Sequence, residues 1–186
     1  MMVGGAALTM ATLVSANASE VDVQALFTKA MQDGRVGTAR KTKPVDVRPA
    51  KPGEVVVSII KGEGKETESP PAEAGDMVVR NRCEATGNEE ILVKAAKFAQ
   101  RYEGPIGSAG ADGWLPYRPT GLEMLYLTLG PSEGPFSFIA PWGEPMVAKP
   151  GDAIVQDPSN AKDTYRIAAV AFACTYEVLQ PAATAG

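Results

Sequence analysis

Apolar positions along this chain come in short blocks set between turn-forming residues. Val55-Val56-Val57-Ser58-Ile59-Ile60 is rich in β-branched residues and bounded by Pro52-Gly53 and Gly62, which predicts a strand. Met77-Val78-Val79, Glu90 to Val93, Leu122 to Leu129, Phe136-Ser137-Phe138-Ile139, Ala153-Ile154-Val155, Tyr165 to Ala168 and Thr175 to Leu179 predict further strands. Helical spacing is confined to two places. Val21, Leu26, Phe27, Ala30 and Met31 share one face of a predicted helix from about Glu20 to Gln32, with Ser19 as its N-cap and Asp33-Gly34 as its end. Ala95 to Arg101 predicts a helical turn that carries Phe98. Residues 35–53 are basic and proline-bearing and read as a linker, and Lys61 to Pro71 reads as a polar loop.

Two of these stretches repeat one order. Gly75-Asp76, an apolar strand, a polar loop, a second strand, Phe98 and Tyr102-Glu103 make the first. Gly151-Asp152, the same succession, Phe172 and Tyr176-Glu177 make the second. Asp76 and Asp152 are 76 residues apart and Tyr102 and Tyr176 are 74 apart, so the copies differ only in loop length. Arg48-Pro49 and Arg118-Pro119 precede them. The pattern predicts an internal duplication and a mainly β fold: two tandem copies of a small antiparallel, barrel-like module with an N-terminal helix. The implied organisation is an apolar segment 1–18, helix and linker 19–53, the first copy 54–103, a glycine-rich connector 104–120, the second copy 121–180 and a tail 181–186.

The run Phe136 to Met146, Pro150-Gly151-Asp152, Asp163 to Ile167, Phe172 and Thr175-Tyr176-Glu177 resembles the PGDYG family of bacterial and phage proteins. The likeness covers the second copy well and the first weakly. Ala153-Ile154 stands where the motif has Tyr-Gly, and the first copy reads Ala74-Gly75-Asp76-Met77. The resemblance implies a small β-rich module and carries over no catalytic residue.

Composition narrows the chemistry. The 186 residues suit one ordinary domain or two small ones, and the net charge of −4 argues against nucleic acid. The chain has no histidine, which excludes Ser-His-Asp and Cys-His nucleophile systems and histidine-ligated metals. Two cysteines cannot form a zinc site alone. Cys174 reads as a small buried side chain and Cys83 as a loop residue. Free thiols are favoured over a disulfide on spacing and compartment. No metal, cofactor or catalytic residue is expected.

Met1 to Ala18 is apolar and small, and Ala16-Asn17-Ala18 resembles a cleavage site, but no Lys or Arg precedes the apolar stretch. The favoured location is cytoplasmic. An exported or organelle-targeted chain cleaved after Ala18 is the alternative, and membrane contact would fall to Met1–Ala18.

Six residues are candidates for ligand binding. Asp76 and Asp152 could meet at a pseudo-twofold axis, although a Gly-Asp turn aspartate more simply satisfies its own backbone. Trp114, Tyr117, Arg118 and Trp142 form the densest aromatic and cationic group. Their expected roles, in order, are core, protein contact and ligand pocket. Glu103 and Glu177 are expected to pair at the surface with Arg101 or Arg166. The Gly62-Glu63-Gly64-Lys65 stretch lacks phosphate-loop spacing. The first functional expectation is a non-catalytic binding or accessory-subunit protein working through a protein partner or as a homo-oligomer. The alternative is a small-molecule-binding protein or small enzyme with its site between the copies.

Overall fold

The computed structural model describes residues 19–183. Segment 1–18 and the last three residues of the tail lie outside them. The chain is mainly β. Its strands are β1 (Ser19–Glu20), β2 (Gly37–Lys41), β3 (Val45–Pro49), β4 (Val57–Ile60), β5 (Gly64–Glu68), β6 (Met77–Asn81), β7 (Glu90–Val93), β8 (Tyr102–Glu103), β9 (Leu115–Pro119), β10 (Glu123–Thr128), β11 (Phe136–Ile139), β12 (Pro145–Ala148), β13 (Ala153–Asp157), β14 (Asn160–Ile167) and β15 (Tyr176–Gln180). Three α-helices, α1 (Val23–Gln32), α2 (Ala95–Arg101) and α3 (Ala169–Thr175), and a short 3-10 turn at Glu84–Thr86 complete it.

Two five-stranded sheets dominate, in the orders β7-β6-β3-β9-β8 and β14-β13-β10-β2-β15. Neighbouring strands in both are antiparallel. Each sheet takes one strand from the other half of the chain: β2 pairs with β10 and β15, and β9 pairs with β3 and β8. The hairpins β4-β5 and β11-β12 stand outside the large sheets, and β1 adds in parallel to β11. None of these sheets closes into a barrel, so the barrel-like expectation is corrected. β2 pairs only with strands far along the chain, and β9 reaches back to β3 as well as pairing with β8 across residues 104–114, so most of this exchange leaves no local signal in the sequence.

The same exchange explains two further corrections. Residues 35–53 contain β2 and β3 rather than a linker, and 104–120 contains β9. These strands are short and carry Arg, Lys or Pro, so their composition hides them. Lys61 to Pro71 likewise contains β5, whose Gly64-Lys65-Glu66-Thr67-Glu68 buries only Thr67 fully. The N-terminal helix starts later than expected. Asp22, not Ser19, is its N-cap and accepts from the Gln24 and Ala25 amides at 3.0 Å each.

The largest core joins α1 to strands of the second half. Val23, Phe27 and Ala30 of α1 pack on Leu127, Phe138, Met146 and Ile154. The first half has its own core of Val45, Val47, Val79, Val93 and Tyr102. Removing such apolar side chains from water is the main stabilising term for each half.

Candidate functional site

Both Gly-Asp pairs make the same turn. Gly75 and Gly151 each hold φ at +89°, a conformation that costs a β-carbon-bearing residue energy. The aspartate that follows is then buried. Asp76 accepts from the Glu73 amide at 2.8 Å and the Ala95 amide at 3.1 Å, tying the turn to the start of α2. Asp152 accepts from the Lys149 amide at 2.9 Å and the Ala169 amide at 3.0 Å, tying its turn to α3. Their cations differ: Lys94 reaches Asp76 at 2.8 Å, and Arg166 Nε reaches Asp152 at 2.7 Å. Burial opposes the Asp76 charge, but Lys94 and the two amides outweigh it and lower the carboxyl pKa. The aspartates cap separate turns and neither faces a shared cleft.

The aromatic and cationic group is also dispersed. Trp114 stacks with Arg80 and Arg48, whose guanidinium carbons lie 4.2 and 5.2 Å from its ring centroid. Tyr117 packs edge-on against Phe98 in the first core. Arg118 pairs with Glu103 on the surface, where such a pair contributes little. Glu177 pairs with Arg40. The expected pairing of these two glutamates with Arg101 or Arg166 is therefore corrected, because both arginines turn inward. Trp114 belongs to none of the buried clusters, whereas Trp142 packs half-buried against the larger core. Trp142 stands on the wall of a cavity, donating its indole N–H to Thr67 Oγ1 at 3.2 Å.

That cavity has a volume of about 450 Å³ and lies at the junction of the two halves. Much of its wall is apolar, including Ile91, Leu122, Met124 and Trp142. Its polar groups come from both halves. Lys97 and Arg101 of α2 reach Asp163 on β14 at 2.5 and 2.7 Å, and Arg101 also donates to Tyr165 Oη at 3.1 Å. Burial pushes the Tyr165 and Tyr176 phenols above their usual range, so both stay neutral. Across the junction, Lys41 on β2 donates to Asn81 Oδ1 at 2.5 Å and to Tyr102 Oη at 3.2 Å. Asn81 in turn donates to Glu89 Oε1 at 2.8 Å, and Thr86 Oγ1 donates to Glu89 Oε2.

Glu66 and Arg166 line this cavity and also a neighbouring one of about 260 Å³. Arg166 Nη1 meets Glu66 at 3.0 Å, and the Glu66 side chain is 10% exposed. Burial pushes the Glu66 carboxyl up to about 7, against the pull of Arg166 and with the charges of Glu89, Asp152 and Glu63 adding to the rise. A carboxyl that titrates near neutrality in a cavity wall can give or take a proton.

The junction is also covalently closed. Cys83 and Cys174 form a disulfide, with Cα atoms 6.0 Å apart. This corrects the free-thiol expectation. Cys83, not Cys174, is the fully buried one of the two.

Of the six sequence candidates, the cavity wall includes only Trp142. Lys41 lies in the basic stretch 35–53 that reads as a linker, and Glu66 in the stretch Lys61 to Pro71 that reads as a polar loop. Their signal would have been a strand alternation in β2 and β5 too short to register. No group of His, Cys, Asp and Glu suited to a metal occurs among the described residues, and none of their helices is long and apolar enough to cross a membrane. Comparison with protein families, with curated proteins and with solved structures finds no match.

Proposed function

We propose that this protein binds a small organic ligand in the cavity between its halves. The carrying observation is the convergence there of an apolar wall with Lys41, Glu66, Asn81 and Glu89, in a volume of about 450 Å³. Concave sites of this size, mostly apolar and fitted with a few placed polar groups, are the usual form of a small-molecule site. The two tryptophans supply the test, because Trp142 lines the cavity and Trp114 does not. In ligand-observed and protein-observed NMR screens of metabolite mixtures, binders should shift the Trp142 indole resonance and leave Trp114 in place. Binders that move both equally, or none that moves Trp142, would count against the cavity.

A second reading, protein contact or self-association, is favoured by the outward face of the β4 hairpin. Val55, Val57 and Ile59 are 47%, 42% and 57% exposed there. Under this reading Ile59→Lys lowers the molar mass measured by light scattering; an unchanged monomer in both proteins would remove it.

We also read the halves as copies of one module, with the PGDYG likeness covering the second well and the first weakly. The matching Gly-Asp turns support this, as do the stacked Phe98–Tyr102 and Phe172–Tyr176 pairs, with centroids 5.3 and 5.1 Å apart. The disulfide supports an oxidising compartment, and so export or organelle targeting with cleavage after Ala18, over the cytoplasmic alternative. The mature N-terminus, read by mass spectrometry of the native protein, is then Ser19.

A further inference from the structure

We infer that Lys41 and Tyr102 form an anion subsite in this cavity, one that takes the single carboxylate of an otherwise apolar ligand. The inference rests on the cavity being a ligand site. Its starting point is charge pairing. Five cations line the wall: Lys41, Lys94, Lys97, Arg101 and Arg166. Lys94 pairs with Glu73 and Asp76, Lys97 and Arg101 with Asp163, and Arg166 with Asp152, Glu63 and Glu66. Among the described residues, Lys41 makes no ion pair.

Its ammonium is instead held by two neutral oxygens, Asn81 Oδ1 and Tyr102 Oη. An ammonium carries three donors, so one is left to point elsewhere. The position is fixed. Asn81 is oriented by its own bond to Glu89, and the Lys41 nitrogen lies 5.6 Å from the Tyr102 ring centroid. Tyr102 accepts from Lys41 through its oxygen, which leaves the phenolic proton free to donate. Lysine N–H and tyrosine O–H therefore stand side by side as two donors, the number a carboxylate's two oxygens require. A partly buried cation without a counter-ion lacks the compensation that burial of charge demands, and a bound anion supplies it.

The neighbours select the charge and the body of the ligand. Glu66 and Glu89 share the wall, so a dianion such as a phosphate monoester would meet like charge where a monoanion meets less. Leu122, Met124, Ile91 and Trp142 then favour an apolar or aromatic body.

The test uses the full chain carrying Trp114→Phe, so that Trp142 alone reports. It is titrated at neutral pH with 3-phenylpropanoate, 3-phenylpropan-1-ol and 3-phenylpropylamine, which share a body and differ in head group. The acid should bind about tenfold more tightly than the alcohol, and the amine more weakly than either. Lys41→Met should bring the acid down to the affinity of the alcohol and leave the alcohol unchanged; Lys41→Arg should keep the preference. Raising the salt should weaken the acid and spare the alcohol, a readout that needs no variant. An acid that binds no better than the alcohol, or that ignores both salt and Lys41→Met, overturns the subsite while the alcohol still reports the cavity. If none of the three perturbs Trp142, the cavity reading itself fails.

Discussion

Cys83 and Cys174 are joined across the junction of the two halves, with 91 residues of sequence separation between them. The bond fastens the turn at Glu84–Thr86 to α3. In the chain-entropy account, a closed loop of about 90 residues stabilises the folded state by about 4.6 kcal/mol. Cys83→Ser/Cys174→Ser should therefore lower the unfolding free energy by about 3–5 kcal/mol in urea titrations. The native protein should also show no thiol reactive to Ellman's reagent under denaturing, non-reducing conditions. One reactive thiol per cysteine would mean that the bond does not form.

The two Gly-Asp turns should differ in cost because their cations differ in exposure. Asp152 and Arg166 have side chains 4% and 3% exposed, whereas Lys94 beside Asp76 is 43% exposed. Asp152→Ala removes two amide bonds and the 2.7 Å partner of a buried guanidinium that keeps Glu63 and Glu66, which costs about 2–4 kcal/mol. Asp76→Ala leaves Lys94 paired with Glu73 at the surface and loses mainly two amide bonds, costing about 1–3 kcal/mol. Chemical denaturation of both variants checks the order; equal losses would mean that the burial of Arg166 does not matter.

How much of this was legible depended on range. The strands around Val78, Phe138 and Ile154 and the two Gly-Asp turns are local, so their residues announce them. Both Phe-to-Tyr-Glu closures were visible for the same reason, with Phe172 carried on the helix Ala169–Thr175. What did not show was the exchange between halves, together with β5, a local hairpin strand hidden by its polar residues. β2 finds both of its partners far along the chain, and β9 finds one of its two there. The cavity is made by that exchange, since Lys41 rides on β2 and meets Asn81 and Tyr102 only there. The inward turn of Arg101 and Arg166 depends on the same long-range packing.

Glycine at 75 and 151 is required by backbone conformation rather than by space. A β-carbon at Gly75 would meet Ala95 Cβ at 3.4 Å and one at Gly151 would meet Ala169 Cβ at 3.9 Å, both ordinary contacts. At φ of +89°, however, each alanine would carry backbone strain of about 1–2 kcal/mol. Gly75→Ala and Gly151→Ala should each lower stability by about that amount, with near-equal shifts of the urea midpoint. A neutral result at one site would show that its turn relaxes to negative φ.

Glu66 gives the protein a pH dependence whose sign can be worked out. Its folded-state carboxyl titrates at about 7, above the ordinary 4.5, because burial disfavours the charge more than Arg166 restores it. Below pH 4.5 the group is protonated in both folded and unfolded chains and has no effect. Between 4.5 and 7 the unfolded chain releases the proton while the folded chain keeps it, so stability falls as pH rises through that window. Above 7 the full cost is present, about 3 kcal/mol for a shift of this size. Glutamine carries no charge at any pH and keeps an oxygen for Arg166 Nη1. Glu66→Gln should thus match the wild type near pH 4.5 and exceed it by about 3 kcal/mol at pH 8. Urea titrations of both proteins at the two pH values isolate this residue from every other carboxylate, since the others are common to both chains. A difference that stays constant with pH would show that Glu66 is charged in the cavity wall throughout.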